Sequence, residues 1–390
     1  MTPHARNQRF PLMDGTRALA ALAVFGYHVG YITGTNGYSR PLGLFTGYLD
    51  VGVAIFFAVS GFLLYRQFLV ARRSGRNRKL TSYGRARVLR IVPAYWVALT
   101  LATIYPTLVG PFTHHWWLFY GFMQDYSKQA FNGLPQAWSL SVEMTFYFAL
   151  PLFAFLMAQI SRGKHWLLVE IAALWSLAIA GAIVQLHADL YTIIGTFDWF
   201  AVGMTMAALS VWAAEDRRLT PALSSLVGRP MLCWSIAAAT YVTTCLINPA
   251  RFSPDASYLV KTGGYAVTAV FVMIPVTLGP LVGAPAKLLS TRTVVWLGTV
   301  SYGLFLWHLP VLVAIQRLGW EHALRSQLVS YTVIGLAATC VLAALSWYLV
   351  ERPFLQLKAK PSRPPAAVPD QRAALAVSKP PVAAGSVDRG

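Results

Sequence analysis

MDGTRALAALAVFGYHVG, residues 13–30, is an apolar run long enough to enter a bilayer, yet it carries Arg17 near its start and His28 well inside it. Hydrocarbon penalises both side chains, and ionisable residues within membrane segments usually face a bundle interior or a water-filled cavity. Steps of about 100° per residue bring His28 to within about 20° of Arg17, so the two share one helical face, about 16 Å apart along the axis. Each also has an ordinary explanation. Arg17 suits a helix end, where its stem snorkels to the interface, and His28 suits a hydrogen-bonded core.

The rest of the chain continues this pattern. Of 390 residues, 56% are hydrophobic and 12% charged, against about 25% charged in a soluble domain. The apolar runs are too long for barrel strands, and only helices and closed barrels satisfy their backbone in lipid. The expected fold is therefore an all-α integral membrane protein with about ten transmembrane helices in one bundle. The spans are expected near residues 16–33, 50–70, 91–109, 139–160, 166–187, 190–212, 231–248, 259–281, 294–316 and 326–349. A very short turn near 187–190 joins the fifth and sixth. No small-residue cleavage site follows the first run, which predicts a retained span rather than a cleaved signal. Residues 1–357 read as one transmembrane domain, and the Pro- and Ala-rich residues 358–390 as a disordered cytoplasmic tail.

A net charge of +18 would suit nucleic acid, but the Lys and Arg gather at the ends of apolar runs. They predict topology and contact with membrane lipid, with no nucleic-acid partner. Placing the N-terminus inside puts Arg6, Arg9 and Arg17, the nine basic residues of 66–90, Arg162, Lys164, Arg217, Arg218, Arg229, Lys287, Arg292 and the basic residues of the tail on the cytoplasmic side. The positive-inside rule thus places both termini in the cytoplasm. Residues 71–90 read as a dense basic loop there. Residues 111–138, rich in Trp and Tyr, read as an outer segment suited to the membrane interface. Cys233, Cys245 and Cys340 lie in apolar segments and read as buried small hydrophobes. His114 and His115 are adjacent, point apart on a helix and have no Cys or acidic neighbour, so no metal site is expected.

Four further stretches carry polar residues where lipid disfavours them. RVLRIVPAYW, residues 87–96, sets Arg87 and Arg90 on one face at the start of the third span. Such a pair marks topology, or holds phosphate bidentately as arginine does better than lysine. WSLSVEMTFYFALP, residues 138–151, places Glu143 a few residues inside the fourth span, where it reads as functional or as an interfacial cap. VSYGLFLWHLP, residues 300–310, brings Tyr302 and His308 into the ninth, as a site or a buried polar network. ERPF, residues 351–354, ends the last span, where Glu351 and Arg352 suit an interfacial ion pair. In FFAVSGFLLYR, residues 56–66, Ser60 and Gly61 lack the G-x-S-x-G context of a nucleophile elbow, so close helix packing is expected there.

Taken in order, these segments resemble the acyltransferase-3 family, membrane O-acyltransferases that mostly decorate bacterial surface sugars and secondary metabolites. The resemblance runs over about residues 12–354 and rests on LMDGTRALAALAVFGYH, FFAVSGFLL, RVLRIVPAYW, WSLSVE, SYGLFLWH and ERPF. It implies a multi-pass protein of the bacterial plasma membrane that moves an acyl group, acetyl by default, from cytoplasmic acyl-CoA to an acceptor at the outer side. The acceptor would be a hydroxyl of a carbohydrate, a glycolipid or a small metabolite. The resemblance makes His28 the catalytic histidine, with Arg17 in the same motif and Glu143 orienting it or binding acceptor. It puts Arg87 and Arg90 at the acyl-CoA, and Tyr302, His308 and Glu351 in support. No tightly bound cofactor is implied, acyl-CoA being the donor substrate. One departure is visible: where the family commonly has an acidic residue before paired aromatics, GVAIFF has Ala54, and Asp50 a turn earlier receives no role.

Two readings compete. A transporter or flippase would use His28, Glu143 and His308 as a proton or substrate path, although no internal repeat is visible. A membrane anchor would use the basic loop on anionic lipid. The Arg17/His28 spacing and the motif order favour the acyltransferase.

Overall fold

A helix is the one way a chain this apolar closes its own backbone hydrogen bonds in lipid, and every regular element among the described residues is helical. The computed structural model describes residues 10–36, 41–76, 78–106, 111–127, 132–161, 163–187, 192–215, 218–247 and 249–357. Its long helices are α1 (Leu12–Ile32), α2 (Val51–Arg73), α3 (Leu80–Ile104), α4 (Trp138–Ile160), α5 (Trp166–Gln185), α6 (Ile193–Ala213), α7 (Pro230–Ile247) and α8 (Pro254–Thr277). Then come a short α9 (Arg292–Thr299), α10 (Ser301–Arg317) and α11 (Gln327–Ser346). Among the described residues, eight helices are long and apolar enough to cross a membrane, or nine if α9 and α10 count as one bent span. The chain is a multi-pass membrane protein.

The expected first span is not among those eight. Helix α1 has 21 residues, but Asp14, Arg17, His28 and three glycines dilute its apolarity. It tolerates them because protein surrounds it: α1 packs on α2, α9, α10 and α11, and Ala18 and Ala20 are wholly buried. Two glycines on its neighbours allow this. A Cβ at Gly52 of α2 would collide with the Ala20 carbonyl, and one at Gly298 of α9 with the Asp14 carbonyl. The stripe carrying Arg17 and His28 therefore lies against protein.

Three other spans differ from expectation. Helix α3 begins at Leu80 rather than near residue 91. Much of the expected basic loop is thus helix end, since Arg, Leu and Ala favour the helix and Gly75, at φ 65, makes the turn after α2. The ninth span is broken, with α9 and α10 meeting at 71°. Gly298 seats α9 across α1, and α10 then runs along it. The last span continues past residue 349 through a π-turn (Trp347–Glu351) into Arg352–Gln356. Pro353 follows the turn and has no N–H to close an α-helical ring there. The tail and most of the short turn at 187–190 lie outside the described residues.

Helices α2 and α6 form the tightest pair. Phe57 stacks on Phe200 at 4.4 Å between centroids, and Phe146 of α4 stacks on its other side at 4.1 Å. Gly61 meets the Phe200 carbonyl so closely that a Cβ would clash, as the small-residue reading expected. Prolines recur inside the helices, and at Pro151 and Pro310 a side chain from another segment serves the carbonyl left open. Pro151 in α4 supplies no N–H to Tyr147 O, which instead accepts from Tyr83 Oη at 3.1 Å.

A buried ionic cluster joins α2 to α5. The Glu170 carboxylate, wholly buried, pairs with Arg72 and accepts from Tyr65 Oη. Removing one partner of such a cluster leaves the other uncompensated. Glu170→Ala should lower unfolding stability by about 3 kcal/mol, read from thermal or denaturant midpoints of the detergent-solubilised protein. An unchanged midpoint would show the cluster to be energetically idle.

Candidate active site

Because α3 starts early, Arg87 and Arg90 sit about two or three turns inside it rather than at its mouth. Their spacing of three puts both on one face. That face opens on a cavity of about 290 Å³, whose wall includes Arg17 of α1, Arg87, Arg90, Ser60 of α2, Glu143 of α4 and Tyr302 of α10. Three guanidinium groups and one carboxylate meet there from three helices, α1, α3 and α4. Glu143 accepts from Ser60 Oγ and from Tyr147 Oη, the latter at 2.6 Å. The Arg87 guanidinium lies over the Tyr147 ring, 5.8 Å from its centroid, and its buried Nε has no hydrogen-bond partner among the described residues. Arg17 reaches Asp14 at 3.8 Å and has Arg90, Glu143 and Glu351 as charged neighbours.

The π-turn carries Glu351 into this group. Its carboxylate is buried, accepts from Ser346 Oγ at 3.3 Å and has Arg90 and Arg17 as charged neighbours. Among the described residues it makes no ion pair with Arg352, so the expected interfacial pair is replaced by a buried link to the cavity arginines. Winding one residue wider, the π-turn points Glu351 inward while Arg352 stays exposed.

His28 does not line the cavity; it pairs with His308. His28 Nδ1 faces Val24 O at 2.9 Å, and His308 Nδ1 faces Phe305 O at 2.7 Å. A carbonyl only accepts, so each Nδ1 carries the hydrogen. His308 Nε2 then presents a lone pair to the His28 Nδ1–H, 3.2 Å away. In the neutral ring this leaves His28 Nε2 as the nitrogen free to take a proton. Phe56 and Phe305 also line the cavity; their centroids are 6.4 Å apart, and the Phe305 ring lies 5.9 Å from that of His308.

The aromatic segment of residues 111–138 only partly fits the interface reading. Trp116 and Trp117 are exposed, as expected there, but Gln124, Asp125, Leu134, Gln136 and Ala137 are buried. This second half folds in against the bundle because its amides find backbone carbonyls: Gln124 Nε2 donates to Ala137 O at 3.4 Å and Gln136 Nε2 to Leu306 O at 2.9 Å. Burial pushes the Asp125 carboxyl up to about 7, against a smaller opposing pull from Ser141. The folded protein thus keeps a proton that the unfolded chain releases near pH 3.9. Stability should fall as pH rises from about 4 to about 7 and level off above. Asp125→Asn should flatten that slope in pH-dependent melting. An identical slope in the variant would assign the dependence elsewhere.

The structure gathers Arg17, Arg87, Arg90, Glu143, Tyr302 and Glu351 around or beside one cavity, and sets His308, paired with His28, near its lining residue Phe305. Two details differ from expectation. Glu143 holds Ser60 and Tyr147 rather than His28, and Tyr302 Oη gives its proton to Ile91 O at 2.8 Å. Sequence reading assigned Ser60 to helix packing and did not single out Tyr147. Tyr147 stands one helical turn from Glu143, a spacing that signals contact, whereas nothing in the sequence ties Ser60 to a residue 83 positions away. Asp50 lies apart from the cavity, accepting from Lys261 Nζ at 2.7 Å and from Tyr265 Oη.

A family profile described as an acyltransferase domain matches residues 10–350. The chain is 25% identical over 366 residues to the putative peptidoglycan O-acetyltransferase YrhL of Bacillus subtilis (strain 168), covering 88% of this chain and 54% of that protein. It is 23% identical over 365 residues to the peptidoglycan O-acetyltransferase OatA of Listeria monocytogenes, covering 88% and 55%. To the O-acetyltransferase OatA of Staphylococcus aureus it is 23% identical over 375 residues, covering 88% and 57%. The chain thus spans about half the length of these curated relatives. No solved structure matches.

Proposed function

The chain belongs to the acyltransferase-3 family, and from that premise we propose that it transfers an acetyl group from cytoplasmic acetyl-CoA to a carbohydrate hydroxyl at the outer face of the bacterial plasma membrane. Peptidoglycan, named for two of its relatives, is the first acceptor to test. The observation that carries this reading is the arrangement of Arg17, Arg87 and Arg90 in one cavity whose lining residue Phe305 lies against the His28–His308 pair.

The arginines bind the phosphates of the donor, each guanidinium offering paired donors to phosphate oxygens. Glu143 and Glu351 balance their charge, and Ser60 and Tyr147 fix the Glu143 carboxylate. The acyl arm then runs toward Phe56 and Phe305, which must turn aside on donor binding for the thioester to reach His28. There the acceptor oxygen attacks the thioester carbonyl carbon and gives its proton to His28 Nε2. The tetrahedral intermediate collapses with loss of the C–S bond. The departing sulfur takes the proton back from His28, so the imidazole ends unchanged. While His28 holds the proton, its Nδ1–H is stabilised by Val24 O and His308 Nε2. Tyr302, its proton committed to Ile91 O, serves as wall rather than as an oxyanion donor.

The test is purified detergent-solubilised protein incubated with isotope-labelled acetyl-CoA and peptidoglycan fragments, followed by mass spectrometry for an added acetyl group. Labelled ester on the glycan and free CoA are expected. Neither transfer nor acetyl-CoA turnover would overturn the reading and favour a permease.

A further inference from the structure

His308 sits on α10 two residues before Pro310, and proline inside a helix deprives the carbonyl four residues earlier of its donor. That carbonyl is Leu306 O. A carbonyl left open within a membrane protein needs another donor, and here it has one from outside the helix: Gln136 Nε2 donates to Leu306 O at 2.9 Å and lies 3.5 Å from Phe305 O. Phe305 O in turn accepts from His308 Nδ1 at 2.7 Å. Gln136 is 2% exposed, and its own Oε1 has no hydrogen-bond partner among the described residues. The amide is thus used through its NH₂ alone, aimed at the carbonyls that Pro310 and the His308 ring leave in play.

We propose that Gln136 is a positioning residue for the imidazole pair: by serving the carbonyl that Pro310 opens, it holds the Phe305–His308 turn in register, and through His308 Nε2 it holds His28. The chain of contacts is short and each link is directional. Gln136 sets the Leu306 and Phe305 carbonyls, Phe305 O sets the His308 tautomer, and His308 Nε2 receives the His28 Nδ1–H. The same device occurs at Pro151, where Tyr83 serves Tyr147 O and Tyr147 in turn donates to Glu143. In both places a proline opens a carbonyl close to a site residue, and a side chain from another segment occupies it.

The catalytic consequence rests on the reading of His28 as the base; the coupling between Gln136 and Pro310 does not. Two kinds of measurement separate them. Labelled acetyl-CoA is the probe for activity, with peptidoglycan fragments as acceptor. Gln136→Leu should lower kcat about tenfold to a hundredfold while changing KM for acetyl-CoA less than about twofold, as expected when reacting groups are displaced without loss of donor contacts. Gln136→Glu, which keeps the shape but faces a carbonyl with an acceptor, should be no better than Gln136→Leu. Pro310→Ala restores an N–H to Leu306 O, so in that background Gln136→Leu should keep at most about a third of the logarithm of its effect.

Hydrogen exchange of the peptide covering residues 305–312, followed by mass spectrometry in detergent, reports the same coupling without activity. Gln136→Leu should speed exchange there in the parent chain and little in the Pro310→Ala background. Equal effects of Gln136→Leu with and without Pro310, in exchange and in kcat, would overturn the proposal, as would an unchanged kcat in the single variant. If no variant or parent transfers acetyl, the proposed function fails, while the exchange cycle still decides whether Gln136 serves the opened carbonyl.

Discussion

His28→Ala should lower acetyl transfer from acetyl-CoA by about 10³-fold, within the range that a positioned general base contributes. The size follows from where the ring's nitrogens are committed. Nδ1 is taken by Val24 O and His308 Nε2, so Nε2 alone is left to receive the acceptor's proton. Alanine removes that nitrogen and leaves the helix intact, since α1 is seated by backbone contacts at Gly52 and Gly298 rather than by the imidazole. Expression, membrane insertion and thermal midpoint should stay near those of the parent. His28→Asn sharpens the test, because its amide N–H can still meet Val24 O but offers no basic nitrogen; it should be as inactive as alanine. His308→Ala should cost less, about tenfold, because it removes an acceptor that stabilises the His28 cation and not the base itself. Turnover within a few-fold of the parent in His28→Ala would remove His28 from the chemistry.

The sequence carries much of this arrangement in local form. Helical spacing alone put Arg17 and His28 on one face, and it put Arg87 and Arg90 on another. Apolar runs located α2 and α4 to α8 to within a few residues. What it did not carry are features decided by contacts between distant segments. Helix α3 extends back to Leu80 because arginine-rich sequence serves both as a topology signal and as a good helix, and hydropathy registers only the first. The break at residue 300 depends on α9 docking across α1 through Gly298, a contact between positions 14 and 298 that no local pattern encodes. The π-turn that directs Glu351 inward arises from Pro353 acting on a helix whose apolar pattern is otherwise unbroken. Residues 132–137 look like interface because they follow exposed tryptophans, but Gln136 is drawn inward by a carbonyl opened by Pro310, far along the chain. The pairing of His28 with His308 is of the same kind. Each histidine was conspicuous alone, and only the fold brings their rings to 4.8 Å.

Arg17→Ala should weaken binding of acetyl-CoA about a hundredfold, the lower part of the range for truncating one member of a desolvated charge pair. Arg17 is the cavity cation closest in sequence to the base. It enters from α1, whereas Arg87 and Arg90 enter from α3, so no neighbouring guanidinium can take over its position without moving a helix. Its loss also leaves Glu351 and Glu143 with fewer cations nearby. Part of the measured penalty is therefore repulsion between those carboxylates and the donor's phosphates. That part can be isolated. Glu351→Gln in the Arg17→Ala background removes one buried negative charge while keeping the acceptor for Ser346 Oγ, and should restore donor affinity several-fold. Arg17→Lys should recover less than half of the loss in free energy, because a point charge lacks the guanidinium fork. Binding of CoA followed by calorimetry at low and moderate salt gives the magnitudes, and a buried contact should respond only weakly to ionic strength. If Arg17→Ala binds CoA as the parent does while acetyl transfer falls, the arginine acts on the reacting centre and the donor site must be carried by Arg87 and Arg90 alone. If the Glu351→Gln double variant binds no better than Arg17→Ala, the π-turn carboxylate plays no part in balancing the cavity.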